Sequence, residues 1–313
     1  MDAHDNLAPA TWSLVTVDTP GGTRCAALSE QGVREVPSLH GYAGVFEALQ
    51  DWTSLVPALR TYDPSQASPL SGARILAPIR YPRTVLCSGP NYRDHLAEMT
   101  GDQTGSSTIE LAPFFFLKPP STTVIGPGDA IVISPDVDEQ VDWEAELGVV
   151  IGRGGRDIPV EQAQAHIAGY TIVNDVSARG PHRRADAFAG AFAWDWLASK
   201  GQDTFCPTGP GVTPQWLVPD PHDLPILLTV NGHEEQASST KEMIHGVAEL
   251  VAAASAMLTL QPGDLLATGT PAGVGAPRGK FLRPGDTVEV AIGGLGRLRN
   301  PVTARQDTQG ASA

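Results

Sequence analysis

The sequence predicts a β-rich α+β protein in which a small N-terminal α/β domain, residues 1–75, precedes a large domain, residues 76–313. The chain of 313 residues is long enough for more than one hydrophobic core. Short runs of alternating apolar residues dominate it, which is typical of strands. Its 33 glycines and 27 prolines are spread without a period, which favours many short strands and turns over a helical bundle.

The N-terminal domain is predicted to combine short strands with one helix. Alternating runs cover residues 13–19, 23–28 and 33–36, and a helical pattern lies between Gly44 and Leu55. A segment rich in proline and serine, residues 61–73, is predicted to link this domain to the large one.

The large domain is predicted to consist mainly of strands. They cover residues 84–89, 113–118, 130–134, 146–152, 169–175, 226–232, 265–270 and 287–292. Pro-Gly-Asp turns at 127–129, 262–264 and 284–286 separate several of them. A capping box at Ser239–Glu242, followed by apolar residues at helical spacing as far as Leu258, predicts one packing helix.

The charge and the cysteines restrict the kinds of partner and compartment. The formal net charge is −14 and no run of Lys and Arg occurs, which argues against nucleic acid or an anionic membrane as partner. Three distant cysteines without a CxxC pair indicate a reducing, cytoplasmic setting. The opening residues show no secretory signal, and the most apolar helical stretch, Val247 to Leu260, is too short to span a membrane.

A cluster of acids, Asp142, Glu144 and Glu146, precedes an apolar run. Alternate residues of a strand share a face, so the three carboxylates are predicted to point the same way. Burying them without a cation would cost several kcal/mol each or force protonation. Two interpretations stay open on this pattern alone: a divalent-cation site, or an exposed polar face of a strand.

Asp175 shifts the balance towards a metal site. It follows Asn174 at the end of an apolar strand, so a third carboxylate could complete an all-oxygen set. No cluster of His or Cys competes with it. Oxygen donors suit Mg²⁺, Mn²⁺ or Ca²⁺ rather than zinc.

Seven segments in chain order resemble the fumarylacetoacetate hydrolase superfamily. They are SGPNYRDHLAEM (88–99), PFFFLKPPSTTVIGPGD (113–129), VDWEAELGVVIGR (141–153), GYTIVNDVSARG (169–180), KGQDTFCPTGPGV (200–212), VNGHEEQ (230–236) and LQPGDLLATGTPAGVG (260–275). The resemblance covers roughly residues 80 to 302 and points to its branch of acylpyruvate hydrolases and 2-hydroxyhepta-2,4-diene-1,7-dioate isomerases. It implies a layered β-roll of mixed sheets with a few helices, usually as a homodimer, and a metal-dependent enzyme acting beside a carbonyl group.

Carried over residue by residue, the resemblance implies a metal site and a base. Glu144, Glu146 and Asp175 match the metal ligands, with Mg²⁺ or Mn²⁺ as the expected ion. Asp142 matches an acid that is not a ligand and could support the ligands from outside. His95 and Glu98, at helical i, i+3 spacing, match a pair that activates water; a structural histidine is the alternative.

Other matched positions are expected to contact the substrate. Lys200 matches a catalytic lysine that stabilises developing negative charge, although a surface lysine would be the ordinary reading. Arg179, Thr270 and Lys118 match substrate-binding positions, with an ion pair as the alternative for the arginine. His182 stands where glutamine is usual in the family. The segment 180–199 is also longer than is common in the family, so we expect a preference for a bulkier or more apolar substrate group.

The implied function is hydrolysis of a carbon–carbon bond in an acylpyruvate or another β-diketo acid. A small oxo or diketo acid would be the substrate, chelated by the metal while His95 and Glu98 activate water. The same residues could instead decarboxylate oxaloacetate, or isomerise or hydrate a 2-hydroxydienoate. A non-catalytic, metal-stabilised binding protein is a further alternative, which the presence of His95, Lys200 and all three carboxylates disfavours.

Overall fold

The computed structural model describes residues 11–101, 112–134 and 139–305. The opening residues 1–10, for which no secretory signal is expected, lie outside the described residues. Within them the fold is rich in strands, with layered sheets and few helices, which confirms the predicted β-rich α+β class. No helix in these ranges is long and apolar enough to cross a membrane.

The N-terminal elements are strands β1 (Ser13–Thr19), β2 (Gly22–Ser29), β3 (Gly32–Arg34) and β4 (Arg74–Ile75), with helices α1 (Val45–Gln50) and α2 (Trp52–Arg60). The single helix that the sequence predicts here is therefore two helices. They meet at Asp51, whose backbone leaves the α-helical region at φ −109° and ψ 20°. Aspartate favours helix ends because its side chain competes for local hydrogen bonds, and here it accepts one from the Tyr42 hydroxyl at 2.8 Å.

The remaining strands are β5 (Val85–Ser88), β6 (Phe115–Lys118), β7 (Val124–Ile125), β8 (Ile131–Ile133), β9 (Val141–Asp142), β10 (Ala145–Ile151), β11 (Ile167–Asn174), β12 (Ser177–Ala178), β13 (Cys206–Pro214), β14 (Pro225–Val230), β15 (His233–Ser239), β16 (Leu265–Ala267), β17 (Thr287–Ile292) and β18 (Gly296–Ala304). The remaining α-helices are α3 (Arg93–Thr100), α4 (Trp196–Lys200) and α5 (Val247–Met257). Short 3₁₀ turns cover Pro37–Leu39, Pro64–Gln66, Val160–His166, Gly190–Phe192, Gln215–Leu217, Thr240–Glu242 and Ala276–Arg278.

The largest sheet of the described residues has eleven strands. Nine follow the order β3-β2-β1-β13-β11-β10-β16-β5-β6, while β4 pairs with β1 and β7 with β13. Strand β1 pairs with β13 at Leu14 and Val212, so the N-terminal strands extend the sheet of the large domain. The division at residue 75 stays a prediction.

A second sheet, in the order β15-β14-β17-β18-β8, packs on the first. Strand β10 faces β14, and β11 faces β17. Both β10 and β11 are buried along their whole length, and the main core lies between the two layers. A small third sheet pairs β9 with β12. Loops at the ends of β9, β10 and β11 therefore start from a rigid base.

Helix α5 begins later than the capping box at Ser239–Glu242 predicts. That box forms a 3₁₀ turn, and the α-helix starts only at Val247. The reason is Asn91, which binds the intervening backbone: Ile244 N–H donates to its carbonyl at 2.7 Å and His245 N–H to its side-chain oxygen at 2.9 Å. The start is capped by Glu249, which accepts from the Gly246 N–H at 2.8 Å.

Strand β13 is absent from the sequence prediction although it lies inside the large sheet. Its sequence, CPTGPGVTP, is full of proline and glycine, which normally interrupt central strands. It is nevertheless buried throughout, and its pairing with β11 is irregular between Tyr170 and Ile172. The contacts of its neighbours, rather than its own propensity, make it a strand.

We expect Gly169→Ala to lower the free energy of unfolding by about 1–3 kcal/mol, because overpacking a close contact forces backbone movement. Gly169 lies in β11, and a Cβ atom there would meet the backbone oxygen of Thr213 at 2.1 Å. Urea unfolding measures the change. Gly21→Ala is the matched control, since its nearest atom would be 3.8 Å away. Equal stability of the two variants would contradict this packing.

Candidate active site

Three buried carboxylates meet where β10 and β11 lie side by side. Glu144, Glu146 and Asp175 each offer an oxygen, and these atoms all lie within 4.8 Å of one another. The strands run antiparallel with Ala145 opposite Asn174, which brings the start of β10 to the end of β11. The structure thus brings together the three residues that the sequence predicts as metal ligands.

Backbone hydrogen bonds fix the position of each carboxylate. Asp175 N–H donates to the Glu144 carbonyl at 2.9 Å, and Glu144 N–H donates to the Asn174 side-chain oxygen at 3.0 Å. The carboxylate of Glu146 accepts from the Gly269 N–H at 2.7 Å. These bonds fix the backbone at Glu144 and Asp175 and one oxygen of Glu146, while the carboxylate oxygens of Glu144 and Asp175 accept from cationic side chains.

Two lysines compensate part of this buried negative charge. Lys200, at the end of α4, donates to Glu144 and to Asp175, both at 2.8 Å. Lys118, at the end of β6, is fully buried and donates to Asp175 and to the Val176 carbonyl. Burial lowers the pKa of Lys200, but Asp175 and Glu144 outweigh burial and raise it above its ordinary value, so this lysine is charged.

Glu146 has no ion pair among the described residues. Burial and the charges of Asp175 and Glu144 raise its pKa well above the ordinary value. Burial also acts on Glu144, but there Lys200 and Arg179 prevail and lower the pKa. An all-oxygen donor set with one uncompensated carboxylate fits a divalent cation such as Mg²⁺ or Mn²⁺.

Asp142 is separated from the ligands although it shares their sequence pattern. The predicted run is interrupted at residues 143–144, so Asp142 belongs to β9. Its carboxylate accepts backbone N–H bonds from Trp143 at 2.8 Å, Gly275 at 2.7 Å and Ala276 at 3.0 Å. With these three bonds and one from Arg179, both oxygens of the Asp142 carboxylate accept hydrogen bonds. Asp142 therefore positions Arg179 and the turn at Gly275.

Arg179 joins Asp142 to the ligand cluster. Its Nε donates to Asp142 at 2.9 Å and its terminal nitrogen donates to Glu144 at 2.8 Å. The ion pair weighed in the sequence analysis is therefore present. Arg179 also lines the cavity described below, so its outer face can meet a ligand.

His95 and Glu98 lie on one face of α3, as their spacing predicts. The Nδ1 atom of His95 and a carboxylate oxygen of Glu98 are 3.0 Å apart. Burial raises the pKa of Glu98, but hydrogen bonds from His95 and the Gly273 N–H outweigh it and lower the pKa. An ionised Glu98 requires the proton on Nδ1 and leaves Nε2 free to accept a proton.

A cavity of about 250 Å³ opens over the carboxylates. Of the site residues predicted from the sequence, it is lined by His95, Glu144, Glu146, Arg179, His182, Lys200 and Thr270. Lys118 does not line it. The structure places this side chain behind Asp175, where it orients the carboxylate, rather than in the wall of the cavity.

Two polar residues support the cavity wall at Thr270, and the sequence analysis names only one of them. Thr270 donates to the Ala145 carbonyl at 3.0 Å and accepts from the Gln236 amide at 2.9 Å. Gln236 also accepts from the Ala145 N–H at 2.9 Å. The sequence analysis does not name Gln236 as a site residue. Its signal was the matching segment VNGHEEQ, of which it is the last residue.

Trp196 is a second residue missed from the sequence. It lines the cavity at the start of α4, and its ring lies 4.5 Å from that of His182 and 4.9 Å from that of Phe116. The sequence could have pointed to Trp196 because it lies in the unusually long segment 180–199. Nothing in the spacing showed which of the two tryptophans there faces inwards.

Comparisons with known proteins find similar sequences and similar folds. The family model described as fumarylacetoacetate (FAA) hydrolase C-terminal matches residues 84–303. Among curated proteins, the mitochondrial oxaloacetate tautomerase fahd2 of Xenopus laevis is 41% identical over 234 residues, which are 74% of this chain and 69% of that protein.

Solved structures with the same fold include two enzymes of different reaction type. A 2-hydroxyhepta-2,4-diene-1,7-dioate isomerase from Mycobacterium marinum is 33% identical with a TM-score of 0.70, over 95% of this chain and 100% of that one. A maleylpyruvate hydrolase from Sphingobium sp. SYK-6, in complex with manganese(II) ion and pyruvate, is 27% identical with a TM-score of 0.73, over 94% and 100%.

We expect Glu146→Gln to stabilise the metal-free protein and to weaken metal binding. Because folding raises the Glu146 pKa, the stability linked to its proton is complete below the ordinary value of 4.5 and is lost as pH rises through the folded value. The glutamine lacks this loss, so its advantage in free energy of unfolding should grow as the pH rises above 4.5.

Urea unfolding with a chelator, at several pH values, measures this difference. Calorimetric titration with Mn²⁺ should show affinity weakened by at least about tenfold, because an anionic ligand is lost. Glu289→Gln, in β17 and paired with Arg297, is the matched control and should change neither quantity. Unchanged Mn²⁺ affinity in Glu146→Gln would exclude this carboxylate as a ligand.

Proposed function

The chain belongs to the fumarylacetoacetate hydrolase family, and from that premise we propose that it hydrolyses a carbon–carbon bond in an acylpyruvate or a related β-diketo acid with the help of a divalent metal. One observation carries the proposal: His95, held by Glu98, lines the same cavity as the carboxylate cluster. A base beside a cation site suits attack by water on a chelated dicarbonyl.

Glu144, Glu146 and Asp175 would hold the metal. When bound, the ion supplies a Lewis acid that polarises the oxygens of the dicarbonyl. Mg²⁺ or Mn²⁺ is proposed, with Ca²⁺ possible on the same oxygen donors. The manganese in the maleylpyruvate hydrolase structure supports this choice.

His95 would take the proton from the attacking water. Its Nε2 is the free nitrogen, and the ionised Glu98 stabilises the imidazolium that forms. The water oxygen bonds to the distal carbonyl carbon. The bond from that carbon to the methylene then breaks, its electron pair goes to the methylene carbon of the departing pyruvate, and His95 returns its proton there.

Cations of the chain would stabilise the negative charge that develops on oxygen. Lys200 is charged and lines the cavity next to Glu144. Arg179 is fixed by Asp142 and Glu144, so it can act without reorganising. Thr270 also lines the cavity and would contact a substrate oxygen.

Proton transfer without bond cleavage is the second candidate. The relatives named oxaloacetate tautomerase and the isomerase with the same fold favour it. His95 could move a proton to or from the carbon beside a carbonyl, and no water need attack. Decarboxylation of oxaloacetate, or hydration of a hydroxydienoate, would use the same residues.

The setting of the enzyme is also a proposal. We infer a homodimer from the family resemblance, a small oxo or diketo acid as substrate, neither nucleic acid nor a membrane as partner, and a cytoplasmic location. The three cysteines support a reducing compartment, because all are free and buried.

Product analysis by NMR tests the reaction. The protein is stripped of metal, restored with Mg²⁺ or Mn²⁺, and given acylpyruvates, fumarylpyruvate, oxaloacetate and a hydroxydienoate. We expect pyruvate and the free carboxylic acid, dependent on metal and lost in His95→Ala but kept in His233→Ala, which changes an exposed histidine of β15. Carbon dioxide from oxaloacetate alone, or a shifted double bond without cleavage, would instead establish one of the other reactions.

Glu98→Gln should lower kcat by about 10²–10⁴-fold, because the amide cannot stabilise the imidazolium. Metal affinity should stay unchanged, since Glu98 is not a ligand. Asp94→Asn is the control: it removes a charge from the same helix, where Asp94 accepts from the His95 N–H at 2.8 Å and not from the ring. Equal rates for Glu98→Gln and the wild type would remove this pair from the mechanism.

A further inference from the structure

One wall of the cavity is a row of rings that begins at the carboxylate cluster. The Nζ of Lys200 lies 5.1 Å from the centre of the Phe116 ring. Phe116 stacks on Trp196 at 4.9 Å, and Trp196 meets His182 edge-on at 4.5 Å. A ligand held at the metal end would therefore extend along these rings.

Backbone bonds within the segment hold the outer part of this row. Asp195 N–H donates to the His182 carbonyl at 2.9 Å, and Arg183 pairs with Trp194 as a β-bridge. The Asp195 side chain then caps α4 by accepting from the Ala198 N–H at 2.9 Å. Helix α4 carries Trp196 at its first residue and Lys200 at its last, so ring and cation are positioned together.

Further residues that line the cavity are apolar, namely Pro90, Met99, Val274, Ala276 and Pro277. The cavity of about 250 Å³ exceeds the space of about 150 Å³ that holds benzene in a protein interior. A ring joined to a pyruvyl group therefore fits by size.

Among the described residues that line the cavity, no cation is free to pair with a second carboxylate of the substrate. The cations there are Arg179 and Lys200, and both are already bound to carboxylates. Burial and these two cations lower the pKa of His182, so its ring is neutral near pH 7. The guanidinium of Arg183 lies over the ring of Trp194, and Arg183 does not line the cavity.

We propose that Phe116, Trp196 and His182 form a subsite for an uncharged, flat apolar acyl group, such as an aromatic one, at the end of the substrate away from its 2-oxo acid. This assignment rests on the proposed function and names its substrate class. A distal carboxylate, as in oxaloacetate or fumarylpyruvate, would lose its water without gaining a partner. The Nε2 atom of His182, buried without a hydrogen-bond partner among the described residues, offers one bond to a neutral polar atom of the substrate.

The first test compares kcat/KM for acetylpyruvate, benzoylpyruvate and fumarylpyruvate with the Mn²⁺-loaded protein. We expect benzoylpyruvate to exceed acetylpyruvate by about tenfold or more, and fumarylpyruvate not to exceed it. In Trp196→Ala the ratio of kcat/KM for benzoylpyruvate to kcat/KM for acetylpyruvate should fall towards one, mainly through a higher KM for benzoylpyruvate. Trp196→Phe should restore this ratio. Phe188→Ala, an 85% exposed ring in the same segment, should keep the ratio.

The second test separates the subsite from the reaction. Calorimetry with the Mn²⁺-loaded protein should show phenylpyruvate binding about tenfold tighter than pyruvate, and Trp196→Ala should abolish this difference. If no acylpyruvate is cleaved but the binding difference is present, the subsite stands and hydrolysis fails. If acylpyruvates are cleaved with fumarylpyruvate preferred, or if phenylpyruvate binds no tighter than pyruvate, the subsite is overturned.

Discussion

The buried carboxylates of Glu144, Glu146 and Asp175 repel one another, and the structure around them is organised by how that repulsion is compensated. Lys200 pairs with Glu144 and Asp175, and Lys118 pairs with the other oxygen of Asp175, so two of the acids are neutralised. The third acid keeps a raised pKa and receives only a backbone N–H. Rigid, fully buried strands carry this cluster, and its third carboxylate, which has no ion pair among the described residues, makes it suited to hold a divalent cation.

One glycine-rich turn, residues 273–276, couples the base to the carboxylates. Its first N–H holds Glu98, and two further N–H groups hold Asp142, which in turn fixes Arg179. Gly273 has a φ of 102°, and a Cβ atom there would lie 2.2 Å from the Glu235 carbonyl. Only glycine therefore allows the turn to pass this close to Glu235 while its N–H groups hold Glu98 and Asp142.

The family scaffold and the segment 180–199 contribute different parts of the function. Strands β10 and β11 supply chemistry that relatives with hydrolase, isomerase and tautomerase names share, so the fold alone does not select the reaction. The segment adds Trp196 and His182 to the cavity and leaves its outer wall apolar. In the proposed function, the base and the metal carry out the reaction, and the segment 180–199 selects the substrate.

The sequence by itself determined the β-rich class, most strands of the large domain and the set of acids, because periodicity and motif order are local properties of the chain. Tertiary structure decided the rest. Asp142 does not share the strand of Glu146, because it belongs to β9, which pairs with β12, and α5 begins late because Asn91 binds the backbone before it. Lys118 went behind the carboxylates and Trp196 faced the cavity, since these placements depend on contacts between residues far apart in sequence, which no local pattern records.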